Sequence, residues 1–100
     1  MEHQIRKHPR RVQGMIDDLN HPEYCLCCFS RENLTFDHIH PTSKGGKDCT
    51  YTNGQILCDE CNINKSNDII SIKDLRKRLV EKYREIRNKK NEERKFYHSN

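Results

Sequence analysis

The sequence predicts a small α+β domain held together by a metal rather than by a large core. Three observations carry this. Two Cys-x-x-Cys pairs occur, two short apolar segments flank a turn-rich stretch, and apolar residues near the C-terminal end recur at spacings of 3, 4, 4 and 3. The pairs are Cys25-x-x-Cys28 and Cys58-x-x-Cys61, with Cys28 and Cys58 30 positions apart. Four thiolates about 2.3 Å from one zinc ion suit two facing turns, so the expected staple is a closed Cys₄ zinc site. Cys27 and Cys49 are left outside that set.

Each element follows from its own pattern. Val12, Met15, Ile16 and Leu19 share one helical face and predict a short N-terminal helix stopped near Asn20-His21-Pro22. Leu34, Phe36 and Ile39 in NLTFDHIHP predict a strand ending at Pro41, and TSKGGKD is turn chemistry with Gly45-Gly46 free to take positive φ. YTNGQILC predicts a second strand that folds back on the first, with Asn53 on it. Asp59, Glu60 and Asn62 favour a helix start after the last knuckle, where acids complement the helix dipole. Ile72, Leu75, Leu79, Tyr83 and Ile86 then predict an amphipathic helix over about 71–95. Ser71 is its expected N-cap, with Asp74 where Glu or Gln is usual in a capping box.

Composition agrees with a thin core. The 100 residues make a single domain, 32% of them are hydrophobic, 34% are charged, and mean hydropathy is −1.13. A chain of this size and polarity needs a staple to stay folded. The N-terminus has basic residues without an apolar stretch or cleavage site, and no run approaches a membrane span. The expectation is therefore a cytoplasmic protein, with no membrane partner, whose thiols hold metal rather than forming disulfides. Charge is uneven along the chain: residues 1–24 are neutral, 25–70 carry −2, and 71–100 carry eleven basic against five acidic residues, a net +6. A basic arm beside an acidic centre suits a polyanionic partner, with Lys89, Lys90, Arg94 and Lys95 as its contacts.

The predicted hairpin brings chemistry together. Asp37-His38 lies on the first strand, Asn53 on the second, and Asn62 on the helix after Cys61. An acid, an imidazole and an amide in this arrangement are the parts for metal-assisted phosphodiester cleavage. Asp37 and Asn62 offer the oxygen donors that Mg²⁺ or Mn²⁺ prefers. His38, with an ordinary pKa near 6.5, can take a proton from water at neutral pH. His40 is open between a phosphate contact, an extra ligand and an exposed strand-end histidine. Lys65 is open between a phosphate contact and a solvated lysine.

The stretch YCLCCFSRENLTFDHIHPTSKGG, then Asn53, then LCDECNINKS resembles the HNH endonucleases in their zinc-stapled Cys₄ form. The resemblance spans Tyr24 to about Asn67, the motif core at 24–67. It implies the ββα-metal fold, with an N-terminal and a long C-terminal helix flanking it. It implies that Asp37 and Asn62 hold the catalytic cation, His38 is the general base, and Asn53 positions the loop that holds the base. Asn62 stands where the family name has its last His, and the loop from Gly46 to Asn53 is one residue longer than usual. The activity implied is hydrolysis of DNA phosphodiester bonds by an endonuclease or nickase of weak sequence specificity. The alternative is a zinc-stapled DNA-binding or accessory module of a larger DNA-processing machine, without catalysis of its own.

Overall fold

Val12 and Met15 lie one helical turn apart and are both buried, which seats the first helix, α1 (Arg10–Leu19), against the rest of the chain. The structure is a computed structural model that describes residues 7–98, with side chains through Glu92. Asn20 ends α1 in the left-handed conformation at φ 55°, which a short polar side chain tolerates. The first knuckle follows, and its turn is closed by Cys25 N–H donating to Ser30 O at 2.8 Å.

β1 (Leu34–His38) and β2 (Gly54–Cys58) form a two-stranded antiparallel ribbon, with Leu34 opposite Cys58 and His38 opposite Gly54. An isolated two-stranded ribbon is marginal in water, so it relies on what packs against it. Leu34, Ile56 and Leu57 join Val12, Met15, Leu75 and the cysteines Cys25, Cys27, Cys58 and Cys61 in one core. Ile16, Leu19, Phe36 and Leu79 close its edges.

The connection between the strands departs from the expected hairpin in two places. β1 stops at His38, short of the expected Pro41, and Ile39 N–H turns to Asn53 O at 2.9 Å. The segment expected to open the second strand forms instead a helical turn, α2 (Thr50–Asn53), so Asn53 ends a turn of helix and does not lie on β2. Asn53 N–H donates to Cys49 O at 2.8 Å, and its side chain bonds the preceding loop, local bonding that competes with a strand ladder. The GG turn is required sterically. Gly45 sits at φ 88°, and a Cβ on Gly46 would lie 1.8 Å from His40 O.

α3 (Asp59–Lys65) begins directly after β2, with Asp59 and Glu60 in its first turn. α4 (Ile72–His98) is 27 residues, about 40 Å at 1.5 Å per residue. Ser71 caps it as expected, its Oγ accepting from Asp74 N–H at 3.1 Å. Leu75 is fully buried and Leu79 partly so, but Tyr83 and Ile86 are exposed. The amphipathic pattern thus meets the core only in the first turns of α4. Arg76 fastens those turns to the first knuckle, donating to Cys27 O at 2.9 Å and Leu26 O at 2.8 Å. Among the described residues no helix is long and apolar enough to cross a membrane.

Candidate active site and metal centre

The strand register sets where the two centres lie. Cys58 closes β2 at the open end of the ribbon, so both knuckles meet there, while His38 and Gly54 mark the loop end. Cys25, Cys28, Cys58 and Cys61 converge, with all four sulfur atoms within 4.8 Å of one another and Cys28 Sγ 3.5 Å from Cys58 Sγ. A tetrahedral zinc with 2.3 Å bonds places its sulfur ligands about 3.8 Å apart, so the cluster already has nearly the right size. The knuckle geometry is set by backbone donors. Cys27 and Cys28 N–H point at Cys25 Sγ at 3.4 Å each, and Cys61 N–H at Cys58 Sγ at 3.5 Å.

Burial raises two of the four cluster thiols. It pushes Cys58 up to about 11 and raises Cys61 further. At Cys25 burial acts the same way, but backbone N–H donors from Cys28, Cys58 and Cys27 outweigh it and the net shift is downward. Buried thiols that resist ionisation become thiolates readily only beside a cation, which a zinc ion supplies. The four cysteines fit a structural zinc. Cys27 is also buried, and burial raises its pKa; it packs beside the cluster without belonging to it.

At the other end, alternation along β1 sends Asp37 and His38 to opposite faces of the ribbon. Asp37 faces α3 and is buried. Its Oδ2 accepts from Gln55 Nε2 at 2.8 Å and lies 3.1 Å from Lys65 Nζ. Lys65 is wholly buried and also donates to His38 O at 3.0 Å. Its ammonium therefore faces Asp37, where the sequence left open a phosphate contact or a solvated side chain. Asn62 lies nearby on α3. Its Nδ2 donates to Thr35 Oγ1 at 2.8 Å and more weakly toward Phe36 O at 3.4 Å. With the amide nitrogen committed to protein acceptors, its carbonyl oxygen is the donor left for a cation. Asp37 Oδ1 is likewise the less engaged oxygen, with Lys65 Nζ at 3.4 Å. A small cleft of about 70 Å³ opens beside Asp37 and His38, walled by Pro41, Thr42, Ser66 and Asn67.

His38 lies on the face toward α1. Its ring meets Phe36 edge-on at 4.9 Å, and its Nε2 is 2.8 Å from Asp48 Oδ1. The same carboxylate oxygen accepts from Arg11 Nη2 at 2.6 Å. Arg11 is held by two further contacts, with its guanidinium 3.8 Å above the Phe36 ring and Nε donating to Thr50 Oγ1 at 2.9 Å.

Asn53 ties the loop together. Its Oδ1 accepts from His40 N–H at 2.8 Å, and its Nδ2 donates to His40 O at 2.8 Å and Lys47 O at 2.7 Å. All three bonds span the turn that follows β1, so this one buried amide fixes the chain on both sides of the GG turn. The His40 ring folds back on the loop, Nε2 lying 2.8 Å from Lys44 O. Lys89 and Lys90 are exposed on α4; the side chains of Arg94 and Lys95 lie outside the described residues.

Sequence reasoning missed Arg11, Asp48 and Gln55. Gln55 faces Asp37 directly across the ribbon, and only the register reveals that pairing. Arg11 and Asp48 are far apart in the chain, and nothing in the local pattern joins them.

No curated protein and no solved structure matches the chain. Residues 23–68, the segment that carries both the cysteine centre and the Asp37-His38 strand end, match the family model for HNH endonuclease.

Proposed function

We propose that the chain is a metal-dependent endonuclease or nickase that hydrolyses DNA phosphodiester bonds with weak sequence specificity. The observation that carries this reading is the strapping of the loop by Asn53. Three hydrogen bonds of 2.7–2.8 Å made by one side chain hold the turn beyond His38, which in this reading steadies the strand end that carries the imidazole. In this reading His38 takes the proton of an attacking water, and Asn53 holds the loop from which it acts. Asp37 and the Asn62 carbonyl oxygen would hold Mg²⁺ or Mn²⁺, a Lewis acid for the phosphate oxygens. Lys89, Lys90, Arg94 and Lys95 would meet phosphates, which orient a duplex without reading its sequence.

A second reading has one observation in its favour. Lys65 already compensates the charge of Asp37 inside the protein, as a purely structural ion pair does. A zinc-stapled DNA-binding or accessory module without catalysis would need nothing more from that carboxylate.

Supercoiled plasmid incubated with Mg²⁺ or Mn²⁺ separates the two readings. The nuclease converts it to nicked or linear product, and the binding module retards it uncut. His38→Ala should fold and bind DNA while cleavage falls by roughly 10²–10⁴. Asp37→Ala should lose metal response together with rate. Equal cutting by wild type and His38→Ala would overturn the assignment of the base.

A further inference from the structure

We propose that Arg11 is a phosphate-binding residue of this site, and that the Asp48 carboxylate shared by Arg11 and His38 marks the position taken by a backbone phosphate of bound nucleic acid. The proposal rests on the nucleic-acid reading above and adds to it a residue from α1, outside the segment 23–68 that matches the family.

The position of Arg11 is set without Asp48. The Phe36 ring supports one face of the guanidinium at 3.8 Å, and Thr50 Oγ1 takes the Nε donor at 2.9 Å. These contacts leave Nη2 presented beside the His38 ring. A guanidinium fixed in this way loses little side-chain freedom on binding an oxyanion, and its fork of donors matches a phosphate.

Asp48 is the movable partner. It lies on the loop between the GG turn and α2, and two thirds of its side chain is exposed. His38, and then Arg11, hold its carboxyl below the usual range. One carboxylate oxygen that touches an imidazole at 2.8 Å and a guanidinium at 2.6 Å occupies the place of a non-bridging phosphate oxygen. Exposed ion pairs are weak, so a backbone phosphodiester, which matches the carboxylate in charge and oxygen pair and is held there by the rest of the polyanion, can displace it. Arg10 and the exposed Tyr51 line an adjoining groove of about 400 Å³, with Asp18 as its acid. That groove extends the same face along α1 and gives the rest of a nucleotide backbone a surface to follow.

The two neighbours then have opposite signs. Asp48 competes with phosphate for Arg11, so Asp48→Asn should tighten DNA binding and Arg11→Gln should weaken it. The test is fluorescence anisotropy on a short DNA duplex without added divalent cation, so that cleavage plays no part. Expected changes in Kd are about fivefold in each direction. The salt dependence of log Kd should lose about 0.9 units of slope in Arg11→Gln. The double variant should behave as Arg11→Gln alone, because the effect of Asp48 acts through Arg11. Thermal melting run in parallel shows whether the variants are folded, and the exposed Asp48 position keeps the test informative if Arg11→Gln is destabilised. Asp48→Asn that weakens binding, or leaves it unchanged, overturns the proposal, as does a wild-type chain that does not bind DNA. Failure of the nuclease reading looks different: plasmid stays uncut while the opposed binding effects persist.

Discussion

Lys65→Met removes the ammonium from the most deeply buried ion pair in the described residues and leaves the rest of the side-chain volume nearly intact. Lys65 Nζ lies 3.1 Å from Asp37 Oδ2 and 3.0 Å from His38 O, and no part of the Lys65 side chain reaches solvent. The substitution would leave Asp37 with Gln55 as its single described donor, and orphan the His38 carbonyl of its lysine partner. Breaking a buried pair by removing one partner costs about 3–5 kcal/mol, because the remaining charge is stranded in a medium that solvates it poorly. In a domain of this size each kcal/mol moves the melting temperature by about 4–8 °C, so the loss should be at least about 12 °C. Asp37→Leu placed on Lys65→Met should recover much of it, since an apolar pair of similar volume removes the stranded charge. Thermal or urea unfolding of the two variants beside wild type reads both effects. A loss in Lys65→Met below about 1 kcal/mol, or a double variant no better than the single, would refute the reasoning. Mn²⁺ adds a further arm: with its lysine gone, Asp37 should draw the cation more strongly, and Mn²⁺ should stabilise Lys65→Met more than wild type.

Metal analysis should find about one zinc per chain. Cys58→Ser or Cys61→Ser should abolish the cooperative melting transition, because structural zinc contributes on the order of 10 kcal/mol, as much as a small domain has in all. Changing Lys89, Lys90, Arg94 and Lys95 together to Gln should flatten the salt dependence of DNA binding by up to about 0.9 units per lost contact; an unchanged slope would make α4 a scaffold. Stability should fall on acidification below the ordinary carboxylate values of 4.5 for Glu23 and 3.8 for Asp48. Both are lowered in the folded state, Glu23 by His8 and then Lys7, so their contribution is complete above the unfolded values and is lost as pH falls through the folded ones. Acid titration of Asp48→Asn, followed by circular dichroism, should show the weaker dependence.

The cysteine centre could be read from spacing because a tetrahedral sulfur site imposes its own local geometry: each Cys-x-x-Cys is a complete turn, and only the meeting of the two turns is long-range. The helices were readable for a similar reason, since Val12, Met15 and Leu75 bury at the positions their period assigns. The loop was not. Thr50–Asn53 carries residues common in strands and turns, and it becomes helical because Asn53 spends its side chain on His40 and Lys47, partners 13 and 6 residues away. The far part of α4 misled in another way. Tyr83 and Ile86 keep the apolar period of Leu75 and Leu79, but the core ends before they reach it, so periodicity outruns burial. Lys65 was ambiguous because a lysine is ordinarily a surface residue, and only the fold reveals the carboxylate it faces. For the pairing of Asp48 with Arg11 the sequence held no signal, as 37 residues separate them.

The strand register has a mechanical consequence. Pairing Leu34 with Cys58 and His38 with Gly54 puts the cysteine cluster at one end of a five-residue ribbon and Asp37-His38 at the other. The anchored end joins residues from four parts of the chain: the two knuckles, the core beneath them, and α4 through Arg76. At the far end, residues 39–53 close on themselves and are held across their width by Asn53. The ribbon is therefore closed at both ends, by four converging thiols at one and by a single side-chain amide at the other. Loosening the strap at the loop end and losing the cysteine cluster at the other are therefore separate events with separate energetic thresholds.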